Sequence, residues 1–291
     1  MVFCQRIVII WLIIFSAAML ASEEKTEKES IYAQLNRGIM RLEHTEVIYQ
    51  ENADAKIPRS VPDGTAFFVL SGDELYVVSA RHVVEKPHDL HARVQCKNKK
   101  TGYDEVILLE LPRNGWVYHG EYEDVDTRFV DVAAMKIPWI KDRAIKAFRY
   151  EPKDSNDYDK NQLPYEDPEP PDPILVFGFP ADIGFQLLEQ RPFTRSGVVS
   201  MKTGKEFIKI DANKFAEERC CLIDAKMFAG NSGSPVMNQP RLGDSKPRLL
   251  GLVIATNNIL DFGIIEPVSR IRETLDIAKK QPASGQMTDY R

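Results

Sequence analysis

The chain has 291 residues, enough for one large domain or two smaller ones with real cores. Its 43% hydrophobic and 28% charged content is that of an ordinary globular protein. A formal net charge of −5, an isoelectric point of about 5.7 and the lack of any Lys/Arg-rich block argue against a nucleic-acid partner.

In chain order, Arg6 is the only charge in the first 21 residues, and an apolar run of 14 residues follows it at 7–20. A membrane-spanning helix needs about 20 apolar residues. A positive start, a short apolar stretch and small residues at Ala21 and Ser22 describe a secretory signal peptide cleaved near that point. The expectation is a secreted or periplasmic protein with no stable membrane span after cleavage. An uncleaved anchor is the alternative. Cys4 leaves with the signal, so Cys96, Cys220 and Cys221 remain, an odd number in a compartment that permits disulfides. Cys220 and Cys221 are adjacent in a strand-like run and point to opposite faces, so at most one bridge can form within the chain. Buried free thiols are the other reading.

Residues 23–30 are charged and make a flexible lead-in. A short helix is predicted at 31–35, with Gly38 as its stop. Alternation from Met40 to about Tyr49 predicts a strand. Residues 65–80 (TAFFVLSGDELYVVSA) predict a buried hairpin around a Ser-Gly-Asp-Glu turn. Further strands are expected near Val94, at 105–111 and at 131–137. Residues 151–173 are acidic, proline-rich and poor in aliphatics, which suits a linker or long surface loop. Beyond it, short strands are predicted at 174–177, 197–201, 207–210, 220–225, 234–237, 249–255 and 263–267. A helix follows from Pro267 to about Lys280, with Val268, Ile271 and Leu275 on one apolar stripe. Residues 281–291 form a flexible tail. Short strands at this spacing indicate an all-β sandwich or barrel fold.

Within this frame the stretch FAGNSGSPV (228–236) stands out, because glycines flank Ser232. A serine hydroxyl becomes a nucleophile only with a base in hydrogen-bond reach and a group that orients the base. All five histidines (His44, His82, His88, His91 and His119) precede Ser232. The serine–acid–histidine order of α/β-hydrolases is therefore excluded, and Ser234 also breaks the G-x-S-x-G elbow. Few helices and many short strands favour the order histidine, aspartate, serine. His82 directly follows the buried hairpin strand and is the best base. Its competing reading is a satisfied core histidine. His88 and His91 follow Pro87 in a polar segment and are expected to be solvated; two histidines without further spaced ligands do not define a metal site. His44 and His119 have no supporting context. Asp131 opens the strand-like run DVAAMKI and is the best orienting acid, while Asp124 and Asp126 lie in an acidic loop-like stretch. Acyl transfer also needs backbone N–H groups aimed at the oxyanion. The N–H groups of Gly230 and Ser232 are the candidates, and glycine allows the turn.

The blocks VVSARHVV, DVAAMKI and AGNSGSPV, in that order, resemble the three catalytic blocks of trypsin-like (chymotrypsin-fold) serine proteases. The bacterial HtrA-type and related secreted branch is the nearest in character, through SGVVS at 196–200 and LLGLVIAT at 249–256. The resemblance covers about residues 30–275. It implies two antiparallel six-stranded β-barrels with the site in the cleft between them. On that scheme residues 1–21 are the signal, 22–150 the N-terminal segment and first barrel, 151–173 the linker, and 174–280 the second barrel and C-terminal helix. It implies His82 as general base, Asp131 as its orienter and Ser232 as nucleophile, acting on a peptide or protein substrate without metal or organic cofactor. Lys226, six residues before Ser232, falls where the family lines its specificity pocket, and would favour acidic side chains. The competing reading is a lysine whose ammonium reaches solvent. The chain departs from the branch in lacking a PDZ domain after the barrels and in its long acidic linker. A trypsin-like peptide- or protein-binding module without turnover, and an esterase on the same machinery, are the alternative functions.

Overall fold

In the computed structural model the described residues are 36–49, 56–120, 130–138, 143–150, 163–164, 166–181, 191–203, 208–211, 214–216, 220–239, 247–257 and 261–289. The expected signal peptide, the predicted helix at 31–35, and Asp124 and Asp126 lie outside them.

The first half builds strands β1 (Ile39–Tyr49), β2 (Lys56–Ser71), β3 (Glu74–Ser79), β4 (Leu90–Asn98), β5 (Asp104–Leu111), β6 (Val117–Tyr118), β7 (Ala133–Ile137), β8 (Arg143–Ala144) and β9 (Phe148–Tyr150). The second half adds β10 (Pro173–Gly178), β11 (Phe193–Lys202), β12 (Ile208–Asp211), β13 (Lys214–Ala216), β14 (Cys221–Asp224), β15 (Pro235–Asn238), β16 (Leu249–Asn257), β17 (Phe262–Pro267) and β18 (Gln286–Asp289). Among the described residues two α-helices interrupt them, α1 (Arg81–Val84) and α2 (Val268–Ala278), with a single 3-10 turn at Arg113–Gly115.

The fold is all-β, as the strand pattern indicates. β10, β11, β14, β17, β16 and β15 close a six-stranded antiparallel barrel in that order. Period-two alternation fills it with Ile174, Val176, Val199, Cys221, Ile223, Val236, Val253 and Ile265. The first half differs from the expected closed six-stranded barrel. Its strands join a ten-stranded sheet with the path β18-β5-β4-β1-β2-β3-β7-β6, while β8 pairs with β4 and β9 with β2. Strands as long as the 16-residue β2 offer more edge than one partner covers. The parallel strand β9 takes up the remainder at 69–71.

The hairpin of β2 and β3 forms where predicted. Ser71 pairs with Glu74, leaving a two-residue loop that begins with Gly72 at φ 58°. A glycine first in such a loop matches the twist of the strands. Phe67, Phe68, Val77 and Val78 are fully buried, so the hairpin is covered on both of its faces.

Two other expectations change, and one open choice is decided. Gln286–Asp289, taken from sequence as part of a flexible tail, instead pairs antiparallel with β5. This covers an edge that would otherwise present unpaired backbone groups. The end of the 151–173 segment is packed: Leu163 is buried, and Asp167 accepts hydrogen bonds from Ser269 N (3.0 Å) and Ser269 Oγ (2.9 Å) at the start of α2. That carboxylate satisfies a helix N-terminal donor that no capping residue serves. Cys96, Cys220 and Cys221 are buried thiols in no disulfide, the second of the two readings the sequence allows. Cys220 points into the larger core and Cys221 into the closed barrel, as opposite faces of one strand require. Burial pushes the Cys221 thiol up to about 12.

Helix α2 buries Val268, Ile271, Leu275 and Ala278 against β7 and β16, so it locks the two halves together. No helix among the described residues is long and apolar enough to cross a membrane.

The first sheet also buries a charge. Glu43 is fully buried, accepts hydrogen bonds from Ser60 Oγ (2.7 Å) and Arg93 (2.8 Å), and pairs with Arg41. Burial alone would raise its pKa. Hydrogen bonds with His91 and Ser60, aided by Arg41 and Arg93, outweigh burial and hold the carboxyl at about 2. A depressed folded pKa stabilises above the unfolded value of about 4.5, and the contribution is lost as pH falls toward 2. Glu43→Gln is therefore expected to cost on the order of 3 kcal/mol at neutral pH. Its deficit against the wild type should shrink between pH about 4.5 and about 2, measured by urea unfolding across that range.

Candidate active site

His82 sits in the single turn of α1, directly after the buried strand β3. Two contacts fix it to one carboxylate. His82 Nδ1 lies 2.6 Å from Asp131 Oδ2, and His82 backbone N donates to Asp131 Oδ1 at 2.9 Å. A carboxylate only accepts, so the ring contact places a proton on Nδ1 and leaves Nε2 as the basic nitrogen of a neutral imidazole. The ring is 38% exposed and Asp131 only 10%, so the carboxylate lies behind and the imidazole faces out.

Asp131 is held in turn from both halves. Its carbonyl accepts from Arg81 N at 3.3 Å, and its N–H donates to Glu266 Oε1 at 2.9 Å. Glu266 is a buried carboxylate on β17 of the closed barrel. The Arg81 guanidinium packs over the Tyr118 ring at 4.6 Å and reaches Glu85 at 2.8 Å, which secures the start of α1.

Ser232 lies in the turn between β14 and β15. Its carbonyl accepts from Thr65 N at 2.8 Å. A Cβ added to Gly64 would meet both Val83 (2.8 Å) and the Ser232 carbonyl (3.0 Å), so Ser232 and the residue after His82 are neighbours across that glycine. Gly233, at φ 84°, lets the turn press onto the hairpin: a Cβ there would lie 2.0 Å from Thr65 O. Among the described residues no hydrogen bond joins the Ser232 hydroxyl to the His82 ring.

The backbone of this turn is sorted by its hydrogen bonds. Four successive carbonyls are held: Ala229 O by Ala181 N, Gly230 O by Thr65 Oγ1, Asn231 O by Ser234 N and Ser232 O by Thr65 N, at 2.8–2.9 Å. The N–H groups of Asn231, Gly233 and Ser234 donate to Phe228, Val253 and Asn231 carbonyls at 2.7–3.0 Å. Among the described residues the N–H groups of Gly230 and Ser232 have no acceptor. In a trans peptide the N–H points away from the carbonyl before it. Pinning Ala229 O and Asn231 O therefore aims those two donors the other way, on one turn. Paired free donors of this kind can hold a developing oxyanion.

Two residues central to this geometry escaped the sequence reading. Thr65 is fully buried at the start of TAFFVL, and its only sequence signal is a polar side chain leading an apolar run. Glu266 is a lone acid in GIIEP, inside a core strand. Lys226 sits apart from these contacts. Its side chain is 58% exposed, with the ammonium 3.4 Å from Asp261 Oδ1. Its neighbour Met227 is buried and would be 2.9 Å from a Cβ on Gly263. The other histidines lie elsewhere. His119 contacts Glu273 at 2.7 Å, and His91 lies 3.6 Å from Glu43. His88, expected to be solvated, instead stacks on His44.

Residues 64–241 match the family described as trypsin-like peptidase domain. The chain belongs to that family of proteases, and its span takes in all three blocks around His82, Asp131 and Ser232. No curated protein sequence matches the chain. Solved structures similar to it include an HtrA-type protease, AlgW, with a decapeptide, at 14% identity and a TM-score of 0.47, covering 86% of this chain. This chain spans 66% of that protein's length. The active form of the Rv3671c protease from M. tuberculosis matches at 12% identity and a TM-score of 0.46, over 87% of this chain and 86% of that one.

Thr65 carries the next expectation. Its hydroxyl donates to Gly230 O (2.9 Å) and accepts from Phe179 N (3.1 Å). Thr65→Val keeps the shape but leaves both groups unpaired, and should cost about 2–4 kcal/mol. Thr65→Ser keeps the hydroxyl and should lie within about 1 kcal/mol of the wild type. Urea unfolding of the two variants checks this.

Proposed function

We propose that the protein is a secreted serine endopeptidase in which Ser232 is the nucleophile, His82 the general base and Asp131 its orienter. The observation that carries this reading is the double hold of Asp131 on His82, which leaves Nε2 basic on the side open to solvent. The Ser232 hydroxyl attacks the scissile carbonyl carbon and its proton passes to His82 Nε2. Asp131 stabilises the imidazolium without taking its proton. The oxyanion rests on the N–H groups of Gly230 and Ser232. Collapse breaks the C–N bond, the imidazolium protonates the leaving amine, and an acyl ester on Ser232 remains. Water then attacks that ester with His82 again as base, releasing the acid and restoring the hydroxyl.

A fluorophosphonate probe is expected to label the wild type at Ser232 and to leave Ser232→Ala unlabelled. Hydrolysis of a casein-type substrate should fall by on the order of 10⁶-fold in kcat in Ser232→Ala and by about 10⁴-fold in Asp131→Asn. A second reading, a peptide-binding module without turnover, is favoured by the missing hydrogen bond between Ser232 and His82. Such bonds often tighten only with substrate bound. Lack of labelling in a folded protein that still binds peptides would select this second reading.

Glu266 acts as a positioning residue, through its hydrogen bond to Asp131 N. Glu266→Ala is expected to lower kcat by up to about 10²-fold with little change in KM, because a small displacement of Asp131 misaligns the ring. Glu266→Gln keeps an oxygen acceptor and should recover most of the loss. Steady-state kinetics of both variants separate this from simple destabilisation.

A further inference from the structure

Side chains from two separate segments converge on one carboxylate of a third, outside the Ser232 turn. Asp63 on β2 is almost fully buried, its side chain 2% exposed. Its Oδ1 pairs with Lys86. Its Oδ2 lies 2.5 Å from His44 Nδ1 and 3.4 Å from His88 Nε2. The two imidazoles stack with centroids 3.9 Å apart and planes 24° from parallel. His88 Nε2 is itself buried and makes no hydrogen bond.

Protons alone serve this arrangement poorly. With His88 neutral, its buried nitrogen has no bonded partner. With both rings charged, two stacked cations and the Lys86 ammonium surround one carboxylate. A divalent cation removes the conflict, since it takes a lone pair from each ring and an oxygen from Asp63. We propose that His44 Nδ1, Asp63 Oδ2 and His88 Nε2 form a binding site for a zinc-class divalent cation.

The donor set and surroundings suit such an ion. All three ligand atoms lie within 4.8 Å of one another. Metal–ligand bonds of about 2.0–2.2 Å set tetrahedral ligand separations at roughly 3.4 Å. The Asp63–His88 separation already has this value; the 2.5 Å His44–Asp63 edge must open by just under 1 Å, and the two rings must turn out of their stack, because in-plane lone pairs of imidazoles 24° from parallel do not meet at one ion. Two imidazoles and one carboxylate favour zinc, cobalt, nickel or copper over magnesium or calcium. The far nitrogen of His44 lies 3.2 Å from Glu46 Oε1, a carboxylate that fixes the tautomer in which Nδ1 can ligate. Lys86 occupies Oδ1 and leaves Oδ2 for the metal. Both rings line an open cavity of about 740 Å³, which also borders Ser60, His91 and Glu110, so a cation reaches them from solvent. The bound ion would tie β1 and β2 to the segment that leaves α1, through His88, six residues beyond His82.

The test is a titration of the full chelator-treated protein with Zn²⁺ by calorimetry, and with Co²⁺ by visible absorption. One Zn²⁺ per chain and a Co²⁺ band of the intensity given by four or five ligands are expected, with Tm raised by Zn²⁺. His44→Ala and His88→Ala should each weaken Zn²⁺ binding by at least about 10–100-fold, the range lost when even an outer partner is removed. His91→Ala borders the same cavity but pairs with Glu43, and should leave the affinity unchanged. Zn²⁺ binding indifferent to both ligand variants, displacement of Zn²⁺ by equimolar Ca²⁺, or only the weak Co²⁺ spectrum of the aquo ion would overturn the site. The Co²⁺ spectrum is read on the wild type and needs no variant to fold. Because the site excludes Ser232, its failure leaves the peptidase reading standing, and the reverse also holds.

Discussion

The turn that carries Ser232 belongs in sequence to the closed barrel, yet it is held by a residue of the first sheet. Thr65 uses every polar group it has for this purpose. Its N–H serves Ser232 O, its hydroxyl joins Gly230 O to Phe179 N, and its carbonyl receives Ser79 Oγ. Buried hydrogen bonds are modest in net energy but costly to leave unmade. The turn therefore has one low-energy orientation against the hairpin, and that orientation sets where the Gly230 and Ser232 N–H groups point. Because the same hairpin leads into α1, the histidine and the serine are registered against one strand pair.

A second constraint works from the opposite side. Asp131 is buried behind His82, and a buried carboxylate needs donors. It receives two from His82, while Glu266 fixes its own backbone from across the interface. The imidazole is thus oriented by a carboxylate that both halves of the chain locate. Helix α2 and its Asp167 cap make the same connection on the far face. A site assembled from two halves gains precision when several independent contacts agree on their relation.

Much of this was legible before any coordinates. Short alternating segments with turn residues gave away the longer strands, because a half-buried strand must show period two, while the two- and three-residue strands β6, β8, β9 and β13 are too short to carry a period. The histidine census, with none after Ser232, excluded the serine-first order, and the abundance of short strands then favoured histidine, aspartate, serine. Elsewhere the sequence was silent for physical reasons. β18 lacks aliphatic content and forms because β5 offers it an unpaired edge, a tertiary effect. Thr65 and Glu266 look like any polar residue in a strand until their partners 114 to 165 residues and 135 residues away are known. His88 follows a proline in a polar stretch, and only the fold lays it on His44.

The pairing of Gln286–Asp289 with β5 also bears on how the molecule is made. β5 emerges early during synthesis, but its outer neighbour arrives some 175 residues later. At translation rates of about 5–20 residues per second, that rim waits roughly 10–35 seconds with its backbone groups uncovered. An edge open for that long is of the kind that pairs with other extended segments, and the last strand of the chain is what closes it.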